Sequence, residues 1–252
     1  MISNNNLLDY VLIQADDRLV LSHRLSEKCG HGPSLEEDIA TSNISLDLLG
    51  QANEFYEYAA EIANDGRTAD SFAFLRNDIK FKSLILCELE NGDFAEIITR
   101  QFFFDVYDFH FYILLKDSQD SRLAAIAEKS LKECTYHIRH SKKWFNILAD
   151  GTDESRERLV FAINKLWSYT GEMFESSSII DELVQSGIAV NLSKVQEKWN
   201  SEIKATFGEL KLDIPTETWM HSGGRRGRHS EDLGNLLASM QYLQRAYPNS
   251  AW

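Results

Sequence analysis

Residues 133–137 combine the side-chain types that bind iron in helical proteins, but their spacing is altered. In helical bundles that hold two iron ions, a glutamate and a histidine three residues later project from the same helix face. Here Tyr136 stands three residues after Glu133, and the histidine follows one residue later, as His137. The pattern indicates either an altered metal site or a bundle that keeps the architecture of a metal protein and has another role.

Acidic residues in the middle of other apolar helical segments are further candidate ligands. A di-iron site needs about six ligands, mostly carboxylates completed by two histidines. Asp47 is followed three residues later by Gly50, so the second expected histidine position has no side-chain donor. The other acids in such segments are Asp16, Asp17, Asp105 and Asp108. The positions of an incomplete, vestigial metal site are Asp47, Gly50, Asp105, Glu133 and Tyr136.

Two interpretations of these acids remain open. His137 shares a helix face with Glu133, because residues four apart are neighbours on a helix, so it could replace one lost ligand. Alternatively, the acids are buried and neutralised by arginine, lysine, histidine or tyrosine side chains, as buried carboxylates require. Tyr136 and His137 are candidate partners in that second interpretation.

The elements that position these residues are predicted to be helices. Only three prolines occur in 252 residues, and no segment alternates apolar and polar residues as a strand does. Apolar spacing and capping residues predict four helices of about 22 to 30 residues; they cover 7–29, 34–63, 93–116 and 121–148. Other helices are predicted over 71–87, 153–175, 191–207 and 230–246, with 208–218 extended.

We expect one domain over 1–252, with the bundle core at 5–176 and a C-terminal extension at 177–252.

The composition excludes several classes of function. A formal net charge of −13 argues against nucleic acid or an anionic membrane as partner. Cys29, Cys87 and Cys134 form no CxxC pair, which favours a reducing cytoplasm over a disulfide framework. Residues 1–6 lack the features of a signal peptide, and the apolar stretch 102–115 is too short to span a bilayer.

Residues 101–115 are apolar on nearly every helical face. A helix that is hydrophobic all round is buried by its own fold or by a partner. The segment therefore predicts either a central core helix or part of an interface with another protein.

Two basic clusters interrupt the acidic sequence. One surrounds an aromatic residue, and the other lies in the glycine-rich loop 221–229. Such clusters are either solvated surface or, because cations and aromatic rings suit phosphates and adenine, a contact for the handle of a coenzyme A ester. The candidate CoA-ester contacts are Lys80, Phe81, Lys82, Ser83, Arg225 and Arg226.

Several short motifs, taken in order, cover nearly the whole chain. They are CGHGP at 29–33, LDLLGQA at 46–52, NGDFA at 91–95, ECTYH at 133–137, NKLW at 164–167, and the tail from 223 to 245. In these motifs the chain resembles the C-type subunits of the multicomponent ring 1,2-phenylacetyl-CoA epoxidases of bacterial phenylacetate degradation. The resemblance implies an all-α, ferritin-like four-helix bundle with additional short helices and an irregular C-terminal segment.

The resemblance also implies a non-catalytic subunit that binds no cofactor itself. In this family a sister subunit of the same fold holds the iron and epoxidises the aromatic ring, using oxygen and electrons delivered by a reductase. The implied partners are that catalytic subunit and the other subunits of the complex, with a possible edge contact to phenylacetyl-CoA. The alternatives are a di-iron oxygenase with an atypical ligand shell, in which His137 is a ligand, and a helical module that binds an acyl-CoA.

Overall fold

The described part of the chain is built from α-helices joined by turns and short 3-10 helices. The computed structural model describes residues 4–216, 218–248 and 250, and no strand occurs among them. Residues 1–3 of the N-terminal segment and Glu217 of the predicted extended segment lie outside the described residues.

The four longest described helices correspond to the four predicted ones. They contain 23, 29, 22 and 30 residues and are α1 (Asn4–Ser26), α2 (Leu35–Ala63), α5 (Phe94–Leu115) and α6 (Ser121–Asp150). The shorter helices are α3 (Ala69–Phe74), α4 (Ile85–Glu88), α7 (Asp153–Trp167), α8 (Ser178–Gln185), α9 (Leu192–Leu210), α10 (Glu231–Met240) and α11 (Tyr242–Ala246). The all-α, ferritin-like fold class is confirmed.

The predicted helix starts are explained by side-chain caps. The Ser34 hydroxyl accepts a hydrogen bond from the Glu37 N–H, and the Asp93 carboxylate accepts one from the Glu96 N–H at 3.0 Å. Each cap satisfies a backbone donor that lacks a partner inside the helix. The predicted starts of α2 and α5 are therefore confirmed.

The prediction of one helix over 71–87 is wrong. The chain there forms α3, a 3-10 turn at Asp78–Lys80 and the short α4. The N–H groups of Lys82 and Leu84 donate to carboxylates on α1, at 2.8 Å each, instead of to a carbonyl four residues back. Long-range hydrogen bonds thus replace the local helical ones.

Two further predicted helices are shorter than expected. The helix predicted to end at 175 ends at Trp167, where 3-10 type bonds lead into a 3-10 helix at Gly171–Phe174. The helix predicted over 230–246 is divided at Gln241, whose side chain donates to the carbonyls of Ala73 and Arg76.

The chain divides into two compact units. The first contains the residues up to Glu90 and those from Ser222 onward, and the second contains Asn91–His221. In the first unit α1 and α2 are antiparallel, since Ser22 bonds to Ser45 while the earlier Asp16 bonds to the later Tyr56. The single domain over 1–252 stays a prediction.

The second unit is centred on the antiparallel pair of α5 and α6. Every residue of α5 is buried or half-buried, so the core interpretation of the apolar segment 101–115 is confirmed. An aromatic cluster from α5, α7 and α9 packs beside this pair: Phe103, Trp167, Trp199 and Phe207. The Trp199 indole N–H also donates to the Phe103 carbonyl at 2.9 Å, which ties α9 to α5.

None of the helices in the described residues, in either unit, combines the length and the apolar character needed to cross a membrane.

We expect Phe103→Ala to lower the free energy of unfolding by about 3–5 kcal/mol, because it leaves a cavity among three buried rings. Phe161→Ala is the control, since Phe161 is 61% exposed, and we expect it to change stability by less than about 0.5 kcal/mol. Urea unfolding measures both. Equal losses would contradict the assignment of Phe103 to the core.

Candidate functional site

Asp16 and Asp17 are fully buried neighbours on α1. Consecutive helical residues point about 100° apart, so the two carboxylates reach different partners. An isolated buried carboxylate is strongly disfavoured, and both must therefore be neutralised or hydrogen-bonded inside the protein. The first unit supplies a separate arginine for each of them.

The Asp16 carboxylate is held by three groups. The Tyr56 hydroxyl donates to Oδ1 at 2.6 Å, and the Lys82 backbone N–H donates to Oδ2 at 2.8 Å. Arg76 adds a two-pronged ion pair, with Nη2 on Oδ1 and Nη1 on Oδ2. Burial, followed by the Asp16 charge, raises the pKa of Tyr56 well above its ordinary value, so its hydroxyl stays a donor.

Arg76 is fixed from all sides. Its Nε donates to the Phe72 carbonyl at 2.6 Å and its Nη1 to the Lys80 carbonyl at 2.9 Å. Its guanidinium also lies 4.3 Å from the centre of the buried Phe81 ring, a cation–π contact. Burial alone would lower the pKa of Arg76, but the Asp16 carboxylate and Tyr56 raise it above its ordinary value.

The Asp17 carboxylate is paired with an arginine from the C-terminal segment. Arg225 donates from Nη1 to Oδ1 at 2.7 Å and from Nη2 to Oδ2 at 2.8 Å, and the Leu84 N–H adds a third bond. Arg225 also donates to the Lys82 carbonyl at 2.8 Å. Burial raises the pKa of Asp17, and Arg225 opposes that effect.

Glu88 and His229 form a third acid–base pair in the first unit. His229 Nδ1 lies 3.0 Å from Glu88 Oε2, and Nε2 lies 3.0 Å from the Phe81 carbonyl oxygen. The Ser230 N–H donates to the other carboxylate oxygen of Glu88. Burial would lower the pKa of His229, but the Glu88 carboxylate raises it overall. A protonated imidazole donates to both acceptors at once.

The glycine-rich loop is shaped by this packing. Gly227 has a φ of +74°, and a Cβ built on it would lie 2.4 Å from the Ile79 carbonyl oxygen. No other residue type fits a left-handed conformation in such close contact with backbone. Gly227 therefore allows the loop to pack against residues 76–84, which we name the strap.

The six candidate CoA-ester contacts all lie on the strap or this loop. Phe81 and Ser83 are buried, and Arg225 is committed to Asp17. Lys82 forms an ion pair with Asp9 at 3.0 Å. The exposed members are Lys80 and Arg226. Most of these six residues are therefore buried or form ion pairs within the chain. A contact with a CoA ester stays a prediction.

A second polar cluster is buried in the second unit. Gln101 donates to Asp105 Oδ1 at 2.7 Å, and the Cys134 thiol donates to Asp108 Oδ2 at 3.2 Å. Burial raises the pKa of Asp105 to about 6, while the nearby His137 opposes that rise. His137 is therefore the electrostatic partner of a buried carboxylate, as the second interpretation of the acids predicted.

Tyr136 does not take the role suggested for it. Its side chain is 38% exposed and stacks on the His140 ring, so it does not enter the buried cluster. Glu133, one turn earlier on α6, is half-buried. Tyr136, which occupies the position on α6 where an iron site has a histidine, therefore faces outward.

The donor set on these helices does not fit a di-iron centre. Gly50 on α2 has no donor and lies exposed, while Asp47 is half-buried. On α6 the position three residues after Glu133 is the exposed Tyr136. Among the residues that the structure describes, no group of three or more histidine, cysteine or acidic side chains could hold a metal ion.

Sequence reasoning missed the partners of the buried acids. The sequence places Arg76 and Arg225 in the two basic clusters, which are predicted to be either solvated surface or a CoA-ester contact, and it does not single out Glu88 or His229. The available signal was the adjacent pair Asp16 and Asp17 inside an apolar helix, which demands two cations from elsewhere in the chain. Nothing in the local sequence says which of the 26 lysines and arginines supply them.

Comparison with known proteins gives two matches over almost the full length. The family model described as phenylacetic acid catabolic protein matches residues 2–252. The chain is 45% identical over 248 residues to the C subunit of 1,2-phenylacetyl-CoA epoxidase from Escherichia coli (strain K12). This alignment covers 98% of the chain and 100% of the relative.

We expect Arg225→Ala to lower the free energy of unfolding by about 3–5 kcal/mol, because it leaves the Asp17 carboxylate buried beside an empty cation position. Arg226→Ala is the matched control. Arg226 is exposed and bonds to the Ser222 hydroxyl, so we expect a change below about 0.5 kcal/mol. Denaturant unfolding compares the two, and a loss in Arg225→Ala no larger than in the control would contradict the pairing.

The raised pKa of Asp105 predicts that the free energy of unfolding depends on pH. Its folded pKa of about 6 lies above the value of about 3.9 in an unfolded chain. Its stabilising contribution is therefore present below about pH 4 and is lost as the pH rises through about 6. Asp105→Asn cannot ionise, so between pH 4 and 7 its stability should rise relative to wild type by up to about 3 kcal/mol.

The control for this pH series is Asp117→Asn, because Asp117 is exposed. Unfolding free energies of the three proteins at pH 4, 5, 6 and 7 provide the measurement. Parallel curves for wild type and Asp105→Asn would contradict the burial-raised pKa.

Proposed function

The chain belongs to the phenylacetic acid catabolic protein family, and we propose that it is the metal-free structural subunit of a multisubunit phenylacetyl-CoA epoxidase. In this proposal it pairs with a di-iron catalytic subunit of the same fold and keeps that subunit in its active structure. Epoxidation of the aromatic ring takes place in the catalytic subunit, in the cytoplasm. The observation that carries the proposal is that α2 and α6 lack the carboxylate–histidine pairs of a di-iron site.

Neither helix offers the carboxylate–histidine pair that an iron site in such a bundle uses. Asp47 is followed by Gly50 and Glu133 by Tyr136, and both of the later positions are exposed. A glycine has no ligand atom at all, and an exposed tyrosine is not directed into a bundle core. These residue types support a role without iron.

The buried acids support the same role. Asp16 and Asp17 receive guanidinium, hydroxyl and backbone donors, which are bonds that join segments of the fold. Carboxylates saturated in this way have few lone pairs left for a cation. The polar interior therefore acts as a framework, which is what a structural subunit needs to present a rigid surface to its partner.

Reconstitution with the catalytic subunit and the electron-delivery components tests the proposal. We expect epoxidation to require this chain, and iron analysis to assign the metal to the partner. In the reconstituted complex, the double variant Asp47→Asn, Glu133→Gln should keep activity within about twofold, since neither residue touches reacting atoms.

An atypical di-iron site in this chain predicts the opposite result. Loss of one metal ligand commonly lowers activity or metal affinity by factors of about 10–100 or more. A drop of that size in the double variant, together with loss of iron from this chain, would refute the structural role. Full activity of the catalytic subunit in the absence of this chain would refute the pairing.

A further inference from the structure

The outer face of α2 carries a row of exposed aliphatic side chains. Leu35 is 72% exposed, Ile39 52%, Leu46 63% and Leu49 40%. Their separations of four, seven and three residues place all four on one stripe with heptad spacing. Single exposed aliphatic residues are normal, but four of them on one face of a helix indicate an interaction surface. We name this row the α2 stripe.

A groove runs beside the α2 stripe, between α2 and α3. Its volume is about 450 Å³, and its lining is mostly apolar. Its lining includes Leu46, Leu49, Gly50, Ala69, Ala73 and Phe74. Three of these are glycine or alanine, so the backbones of both helices lie close to whatever fills the groove.

Gly50 keeps this groove open. It lies in the interior of α2, where a glycine costs about 1 kcal/mol relative to alanine. A Cβ built at Gly50 would meet no atom within 4 Å among the residues that the structure describes, so close packing within the chain does not require the glycine. Its φ is not in the left-handed region either. The missing side chain at Gly50 instead leaves the apolar groove open to a side chain of another helix.

We infer that the α2 stripe and its groove bind an amphipathic helix of the catalytic epoxidase subunit; this inference rests on the proposed function. Heptad-spaced apolar residues are the pattern by which one helix packs along another. The small residues of the groove receive the larger side chains of the bound helix.

The charge of α2 selects another subunit over a second copy of this chain. The helix carries seven acidic residues and no basic one. Two copies that met through α2 would bring acidic side chains together, which is unfavourable. A partner helix with lysine or arginine beside its apolar row avoids that repulsion. The occupant is therefore an apolar helix with basic flanks.

The test fills the groove without damaging the fold. Gly50→Gln adds a helix-favouring side chain whose Cβ meets no atom of the described residues within 4 Å, so its thermal midpoint should equal or exceed that of wild type. Binding to the catalytic subunit, measured by titration of the full-length chains, should weaken at least tenfold. Gly208→Gln is the matched control, because Gly208 is also exposed, helical and surrounded by open space within the described residues. It should bind like wild type.

Each outcome separates the two proposals. If wild type does not bind the catalytic subunit, the proposed function fails. If wild type and Gly50→Gln bind equally well, the pairing stands and the groove is not its site. If wild type forms a homodimer that Gly50→Gln abolishes, the occupant is a second copy, and the inference is overturned. A second variant, Leu46→Lys, should weaken binding in the same way as Gly50→Gln.

Discussion

Two adjacent aspartates on one buried helix impose the main constraint on the first unit. Asp16 and Asp17 sit at consecutive positions of α1 with no exposed surface, so each must be neutralised from a different direction. Arg76 arrives from the strap and Arg225 from the C-terminal segment, 208 residues along the chain from Asp17. The positions of both segments follow from this requirement. A buried ion pair adds little net stability over an apolar core, but the loss of one partner is strongly destabilising. The pairs therefore specify where the segments lie more than they increase the total stability.

The same chemistry supports the proposal that this ferritin-like fold needs no metal to neutralise its buried acids. In a metal-binding bundle the interior carboxylates are neutralised by the cation they bind. Here guanidinium groups, a tyrosine hydroxyl and backbone N–H groups take that place at Asp16 and Asp17. In the second unit Asp105 relies on Gln101 and the neighbouring His137, and its raised pKa reflects incomplete compensation for burial. Carboxylates thus remain inside the fold as structural groups, with cations supplied by the protein.

The sequence determined most of the helical framework because its signals are local. Ser34, Asp93 and the apolar spacing of α6 lie in or beside the helices they define, so those boundaries could be predicted to within a few residues. The conformation of the strap could not be predicted, because its N–H groups donate hydrogen bonds to carboxylates of α1, about 66 residues away in sequence. The role of Arg225 could not be predicted for the same reason, since its carboxylate partner Asp17 lies 208 residues away in sequence. The meaning of Gly50 also changed: by sequence it was a lost ligand, and in the structure it lies on an exposed groove.

We propose that the protein supplies its own counter-charges and needs no metal to fold. A ligand that binds the native state raises the unfolding midpoint in proportion to its affinity and concentration. The most direct measurement is therefore the thermal unfolding midpoint of the isolated chain under anaerobic conditions, with a chelator and with excess ferrous iron. We predict the same midpoint in both conditions. A rise of several degrees with iron that disappears in Glu133→Gln would show that the chain binds iron and would contradict this proposal.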